Sequence, residues 1–116
     1  MDTVSLYYEE RGSGTPVVLL HGFPLDHTIW NPVVPLLEIH ARLILPDLRG
    51  HGKSPLGQVN SIREMAEDVA VLLDMLDIPR AILVGHSMGG YVALAFARAH
   101  PHPLAGLGLC ASQGGR

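Results

Sequence analysis

Ala81-Ile82-Leu83-Val84-Gly85-His86-Ser87-Met88-Gly89-Gly90-Tyr91 is the stretch on which the reading of this chain turns. An apolar run of strand character breaks into Gly-His-Ser-Met-Gly, and a small-residue, helix-forming segment follows at once. This is the G-x-S-x-G spacing in the strand–turn–helix setting that gives it meaning. A side chain carried on so sharp a turn forces the residues two before and two after it close together. A Cβ at either place would clash. Gly85 and Gly89 relieve that crowding and leave the Ser87 hydroxyl standing exposed. The helix beginning just beyond aims unpaired N–H groups and a positive dipole end at any anion formed beside Ser87. Ser87 is therefore the candidate nucleophile.

Working outward, short apolar runs alternate with helical patterns. Val4 to Glu10 reads as a first strand, and Val17-Val18-Leu19-Leu20 as one buried on both faces. A helix is expected within Thr28 to Ile39, with Pro32 and Pro35 tolerable only near its first turn. Leu43-Ile44-Leu45 forms the next strand and runs into the loop from Pro46 to Ser54. Ser61 and Glu64 make a capping-box pattern. Beyond them Ile62, Met65, Ala66, Val69, Leu72, Leu73 and Leu76 recur at helical spacing, and Pro79 closes that helix. Ala81 to Val84 is the strand into the sharp turn, Tyr91 to Ala99 a helix, and Leu104 to Cys110 a last strand. This alternation predicts an α/β fold: a three-layer sandwich whose mostly parallel sheet of about five strands carries helices on both faces. Ligands in such sheets bind beyond the carboxyl ends of the strands, where strand order reverses. Ser87, Gly22 and Phe23 all follow strand ends, so motif and topology point to one rim.

Composition excludes several other classes. With 116 residues the chain is read as one domain, 1–116. Hydrophobic residues make up 47% and charged ones 16%, a globular balance that argues against disorder. A formal charge of −3 supplies no basic field for nucleic acid or acidic membrane. No charged-then-apolar leader opens the chain, and no apolar run reaches the roughly 20 residues of a membrane span. The lone Cys110 suits a reducing, cytoplasmic setting. The histidines are too scattered for a metal signature, and no cofactor is expected.

Three segments in order, Val17 to Pro24, Pro46 to Ser54 and Gly85 to Gly90, resemble the N-terminal half of an α/β-hydrolase-fold protein of the small-ester or peroxidase-like group. The resemblance covers essentially the whole chain. It implies the sheet order first, third, second, fourth, fifth. It also implies Ser87 as nucleophile and an oxyanion hole from the backbone N–H groups of Phe23 and Met88. Two preorganised donors at the point where negative charge develops are what acyl transfer needs. The family orders its triad Ser, then Asp or Glu, then His, with the last two after later strands than any present here. The loop 111–115 carries no carboxylate. Since a serine hydroxyl is a poor nucleophile without a base, a substitute is sought among the histidines. His86 adjoins Ser87 but points to the opposite face, and His100 and His102 lie at the far pole. His21 braces the oxyanion loop, His51 is a loop residue, and His40 ends a helix. His27, beside Asp26 at the active rim, is the in-chain substitute.

Gly22, Trp30 and His86 are the expected substrate-binding residues, although apolar packing explains Trp30, Phe23 and Met88 as well as an acyl pocket does. Asp47 and Arg49 are expected to order their loop by pairing locally. The nearly all-apolar helix from Tyr91 and the bare edge of the last strand call for cover. The expected partners are a second copy, paired antiparallel through that strand in a two-fold dimer, or a second polypeptide completing the fold. The function expected is serine-dependent hydrolysis of a small-molecule ester through an acyl-enzyme, with the base from a partner chain or from His27. The rival is a non-catalytic half-hydrolase that binds small molecules or partners, or one piece of a split enzyme.

Overall fold

In a computed structural model, which describes residues 3–110, one five-stranded sheet organises the chain. Its strands are β1 (Tyr8–Arg11), β2 (Thr15–Leu20), β3 (Ala41–Pro46), β4 (Ala81–His86) and β5 (Leu104–Cys110). Their spatial order is β1-β3-β2-β4-β5. The β2–β3, β2–β4 and β4–β5 pairs are parallel, and β1 alone runs antiparallel, with Tyr8 opposite Pro46. Strand order thus reverses between β2, which continues to β3 on one side, and β4 on the other. Both of these central strands end toward the same rim, Leu20 lying opposite Gly85.

Period-two alternation divides the core into two layers. Val18, Leu20, Ile44 and Leu83 face α2 (Ile62–Met75) and α3 (Met88–Ala99), packing against Met65, Val69, Leu73, Val92 and Phe96. Leu19, Leu43 and Leu45 face the other way, onto a 3₁₀ turn (His27–Trp30) and the short helix α1 (Val34–Leu37). The expected stripe on α2 is buried or packed against the core throughout. One residue within it, Asp68, is charged and equally buried.

Four local differences from the expectations have physical causes. Residues before Tyr8 do not extend β1, because the Val4 N–H bonds the Asp68 carboxylate (2.9 Å) and the Tyr7 N–H bonds Ser54 Oγ (2.8 Å). The helix expected over Thr28 to Ile39 is split in two: Asp26 caps the 3₁₀ turn by accepting from the Thr28 N–H, and Pro32 lacks the donor that would carry it on. Only half of the capping box closes. Ser61 Oγ accepts from the Glu64 N–H at 3.2 Å, while Glu64 Oε1 is buried without a partner. Finally, α3 starts at Met88 rather than Tyr91, so Gly89 and Gly90 lie inside its first turn. No helix among the described residues is long and apolar enough to cross a membrane. The loop 111–115 lies outside the described residues.

Candidate active site

The turn between β4 and α3 carries the strain that its sequence requires. Ser87 has φ 57° and ψ −115°, a backbone state that a side-chain-bearing residue adopts only when its surroundings hold it there. Two contacts do the holding. A Cβ on Gly85 would fall on the Gly89 carbonyl, and one on Gly89 would strike the Leu20 and His21 carbonyls. The start of α3 therefore rests directly on the ends of β2 and β4. From the β2 side, Gly22 closes against the same turn: a Cβ there would lie 3.0 Å from Ser87 Cβ and 3.1 Å from His86 Nδ1. The Ser87 N–H reaches the Cys110 carbonyl at the end of β5 (3.4 Å).

Around this turn two backbone donors are left over. Met88 is the first residue of α3, and among the described residues neither its N–H nor that of Phe23 has an acceptor. The loop bearing Phe23 is held from behind by His21, which is fully buried. Its Nε2 accepts the Leu48 N–H (2.9 Å), so the proton sits on Nδ1, which donates to the Gly22 carbonyl (2.8 Å). Burial, opposed by the bond to Gly22, pushes the His21 pKa down and keeps the ring in this neutral tautomer. His21 thus braces the loop.

Asp47 organises the next stretch of rim. Its Oδ1 accepts from the His27 N–H (2.8 Å) and lies 2.7 Å from His27 Nδ1; its Oδ2 accepts from the Lys53 N–H (2.9 Å). Burial alone would raise its pKa, but the bonds from Lys53 and His27 outweigh it and hold the carboxyl below the ordinary range. Arg49 pairs with a distant partner instead of a local one. Its Nε and Nη2 form a two-pronged, fully buried pair with Asp68 on α2, each prong 2.7 Å, and its Nη1 donates to the Val59 carbonyl. Local pairing of Asp47 with Arg49 is therefore replaced by two longer-range ties, one to His27 and one to α2.

The expected site residues are not all brought together. Gly22, Phe23, His86, Ser87 and Met88 meet at the turn. Trp30 does not: it packs with Leu19, Val34, Leu43 and Leu45 on the α1 side of the sheet. His27 has a carboxylate at each ring nitrogen, Asp47 at Nδ1 and Glu9 Oε2 3.6 Å from Nε2, and the Ser87 hydroxyl makes no capping bond. His86 Nδ1 is buried without a partner. His100, at the far end of α3, bonds Glu67 (2.8 Å). Among the described residues one group has metal-ligand geometry, Asp26, His27 and Asp47, with ligand atoms within 4.8 Å of one another. Its oxygens already cap Thr28 and bind the backbone of His27 and Lys53, so it serves to shape the loop.

Beside the turn lies a cleft of about 540 Å³, lined by Phe23, Pro24, Leu56, Ile62, Met65 and Met88 and by the imidazole of His51. Sequence reasoning passed over His51 as a loop residue. The signal was its position between two glycines, Gly50 (φ 75°) and Gly52 (φ 51°). Gly52 must lack a side chain because a Cβ would meet the Asp47 carboxylate. Arg49, Asn60 and Ser61 complete the polar lining of the cleft, and a mostly apolar wall with a few polar groups is the usual character of a small-molecule site.

Comparison with known proteins identifies the fold family. Residues 15–114 match the profile of the alpha/beta hydrolase fold. The chain is 47% identical over 110 residues to the dihydrolipoyllysine-residue acetyltransferase component of the acetoin cleaving system of Pseudomonas putida, covering 93% of this chain and 30% of that protein. It is 42% identical to the pimeloyl-[acyl-carrier protein] methyl ester esterase of Sodalis glossinidius, over 94% of this chain and 41% of the other. Among solved structures, a thermophilic esterase from Thermogutta terrifontis superposes with a TM-score of 0.88 at 46% identity, over 92% of this chain and 40% of its own. The chain thus spans less than half the length of each of these relatives. By profile, identity and superposition alike, it belongs to the α/β-hydrolase-fold family.

Proposed function

We propose that the chain is the nucleophile-bearing half of a serine hydrolase that cleaves carboxylic esters through an acyl-enzyme. Ser87 Oγ attacks the ester carbonyl carbon and gives its proton to a base. The carbonyl oxygen, now negative, is received by the Phe23 and Met88 N–H groups at the positive end of α3. Collapse expels the alcohol, which takes the proton back from the base. Water then repeats the sequence on the acyl-enzyme and releases the acid. The base comes from polypeptide lying outside the described residues and seated across the β5 edge, either a second copy or a further segment. His27, held between Asp47 and Glu9, takes the structural part and not that of the base.

One observation carries this reading: a serine held at positive φ where β4 meets α3, with unused backbone donors on either side. A second reading, a binding module without turnover, is favoured by the lack of any described histidine bonded to the Ser87 hydroxyl. An alkyl fluorophosphonate separates the two. The proposal expects stoichiometric labelling of the folded protein, abolished in Ser87→Ala. A label that persists in Ser87→Ala would refute Ser87 as the nucleophile, and an unlabelled, folded protein would favour the binding module instead.

A further inference from the structure

Of the polar side chains on the cleft wall, Asn60 is bonded to the Gly57 backbone and Ser61 to the Glu64 N–H, whereas His51 holds an acceptor fixed in direction and without a partner among the described residues. Its Nδ1 lies 2.9 Å from the Arg49 carbonyl, and a carbonyl only accepts, so the neutral ring carries its proton on Nδ1. Nε2 then holds a lone pair. It has no partner among the described residues and is not among the buried unpartnered atoms. The ring cannot easily turn away. It packs at 5.1 Å from the His21 ring and meets the Phe23 ring edge-on at 5.5 Å and 85°. The loop beneath is pinned by the bonds from the His51 N–H to the Leu48 carbonyl and from the Ser54 N–H to the His51 carbonyl, both 2.9 Å. Arg49, the cationic neighbour, has its guanidinium committed to Asp68 and Val59.

We infer that His51 is a specificity-determining residue that accepts a hydrogen bond from a hydroxyl on the acyl chain, so that the site favours hydroxyacyl over plain acyl esters. This rests on the serine-hydrolase reading for the cleft's being an acyl site; the acceptor itself rests on the geometry of His51. On a largely apolar wall, an oriented acceptor with no partner of its own discriminates by the bond it can gain. A net neutral hydrogen bond corresponds to roughly a three- to ten-fold difference in affinity. The same wall offers an anionic acyl chain no free cation.

The test uses the Ser87→Ala protein, which cannot turn substrate over, with methyl hexanoate and its 3-hydroxy derivative as probes. Binding is followed by NMR, with each ester titrated at several fixed pH values. The hydroxy ester is expected to bind about five-fold more tightly and to shift the His51 Nε2 resonance, which the plain ester leaves in place. His51→Phe keeps a ring against His21 and Phe23, and it should erase the preference between the two esters. His51→Gln, which returns an acceptor oxygen near the Nε2 position, should restore part of it. Equal affinities for the two esters, a preference that survives in His51→Phe, or no binding of either ester would overturn the inference. Failure of Ser87 to label would overturn the nucleophile assignment while leaving a measured ester preference intact.

Discussion

Removing either partner of the Arg49–Asp68 pair should cost far more than removing both. Each side chain is wholly shielded from solvent, and the two prongs are 2.7 Å long. In Arg49→Met the Asp68 carboxylate keeps only the Val4 N–H (2.9 Å), and a buried charge left so poorly compensated destabilises by about 3–5 kcal/mol. Asp68→Leu strands the guanidinium to a similar degree. The double variant Arg49→Met/Asp68→Leu removes both charges. Among the described groups it leaves lesser orphans in the Val59 carbonyl, on an exposed residue where water replaces the lost donor, and the half-buried Val4 N–H. Unmet burial of one such neutral group costs about 1–3 kcal/mol, so the double variant should stay within that range of the parent. Additive behaviour would give about 6–10 kcal/mol, which is most of a small domain's stability. Urea unfolding reads the difference. With a slope near 2 kcal/mol per molar, each single substitution moves the midpoint down by about 2 M, and the double variant by about 1 M. Single substitutions costing under about 1 kcal/mol, or a double variant as unstable as the sum, would refute the view that this pair is a mutually dependent tie between the cleft loop and α2.

Two further outcomes follow from the geometry of the rim. Gly89→Ala, whose Cβ would enter the Leu20 and His21 carbonyls, should lower thermal stability by about 1–3 kcal/mol of overpacking; Gly90→Ala, whose Cβ meets nothing closer than Leu109 Cδ2 at 3.5 Å, should gain up to about 1 kcal/mol of helix propensity. A reversed order in calorimetric melting would contradict the tight seat of α3 on β2. Because burial lowers the His21 pKa in the folded state, the unfolded chain binds a proton first as pH falls. The contribution of His21 is therefore fully present above about pH 6.5 and is lost as pH drops from there toward the folded value. NMR titration of its ring should give a midpoint below the ordinary imidazole range, and a midpoint at or above that range would refute the assignment of a neutral, bonded tautomer.

What could be read from the sequence was whatever depends on local sterics and period. The glycines around Ser87, the alternation in β2 and β3, and the stripe from Met65 to Leu73 each encode their environment within a few residues, and the structure places each as expected. What could not be read depends on partners far along the chain. Arg49 was given to its neighbour Asp47 because nothing local points nineteen positions ahead to Asp68. Yet a clue lay in α2: a carboxylate among Met65, Val69 and Leu72 has to find a cation, since an unpaired charge inside an apolar stripe is prohibitively costly. For Trp30 the sequence leaves an acyl pocket and plain apolar packing equally open, and the structure shows the packing. The break at Pro32 and the 3₁₀ turn from His27 put its ring on the other side of the sheet, and loop geometry of that kind has no periodic signature. His27 was singled out for its neighbour Asp26, whereas the carboxylate that holds its ring is Asp47.

These ties converge on one construction. His21 links the end of β2 to the loop after β3, Asp47 links that loop to the 3₁₀ turn, and Arg49 anchors it to α2, so the β2–β3 and β3–β4 crossovers are fastened to each other beneath the same rim. Each fastening uses a buried polar group with its partners supplied, which favours one geometry over nearby alternatives more than it adds net stability. The consequence falls on Ser87. Its unfavourable φ persists only while β2, β4 and α3 keep their spacing, and the polar ties lock the loops that flank β2. On the proposed serine-hydrolase reading, a site built this way would be preorganised on the nucleophile and oxyanion side before any base arrives. A polypeptide supplying the base would then need only to position a proton acceptor, because the strain and the backbone donors are already in place.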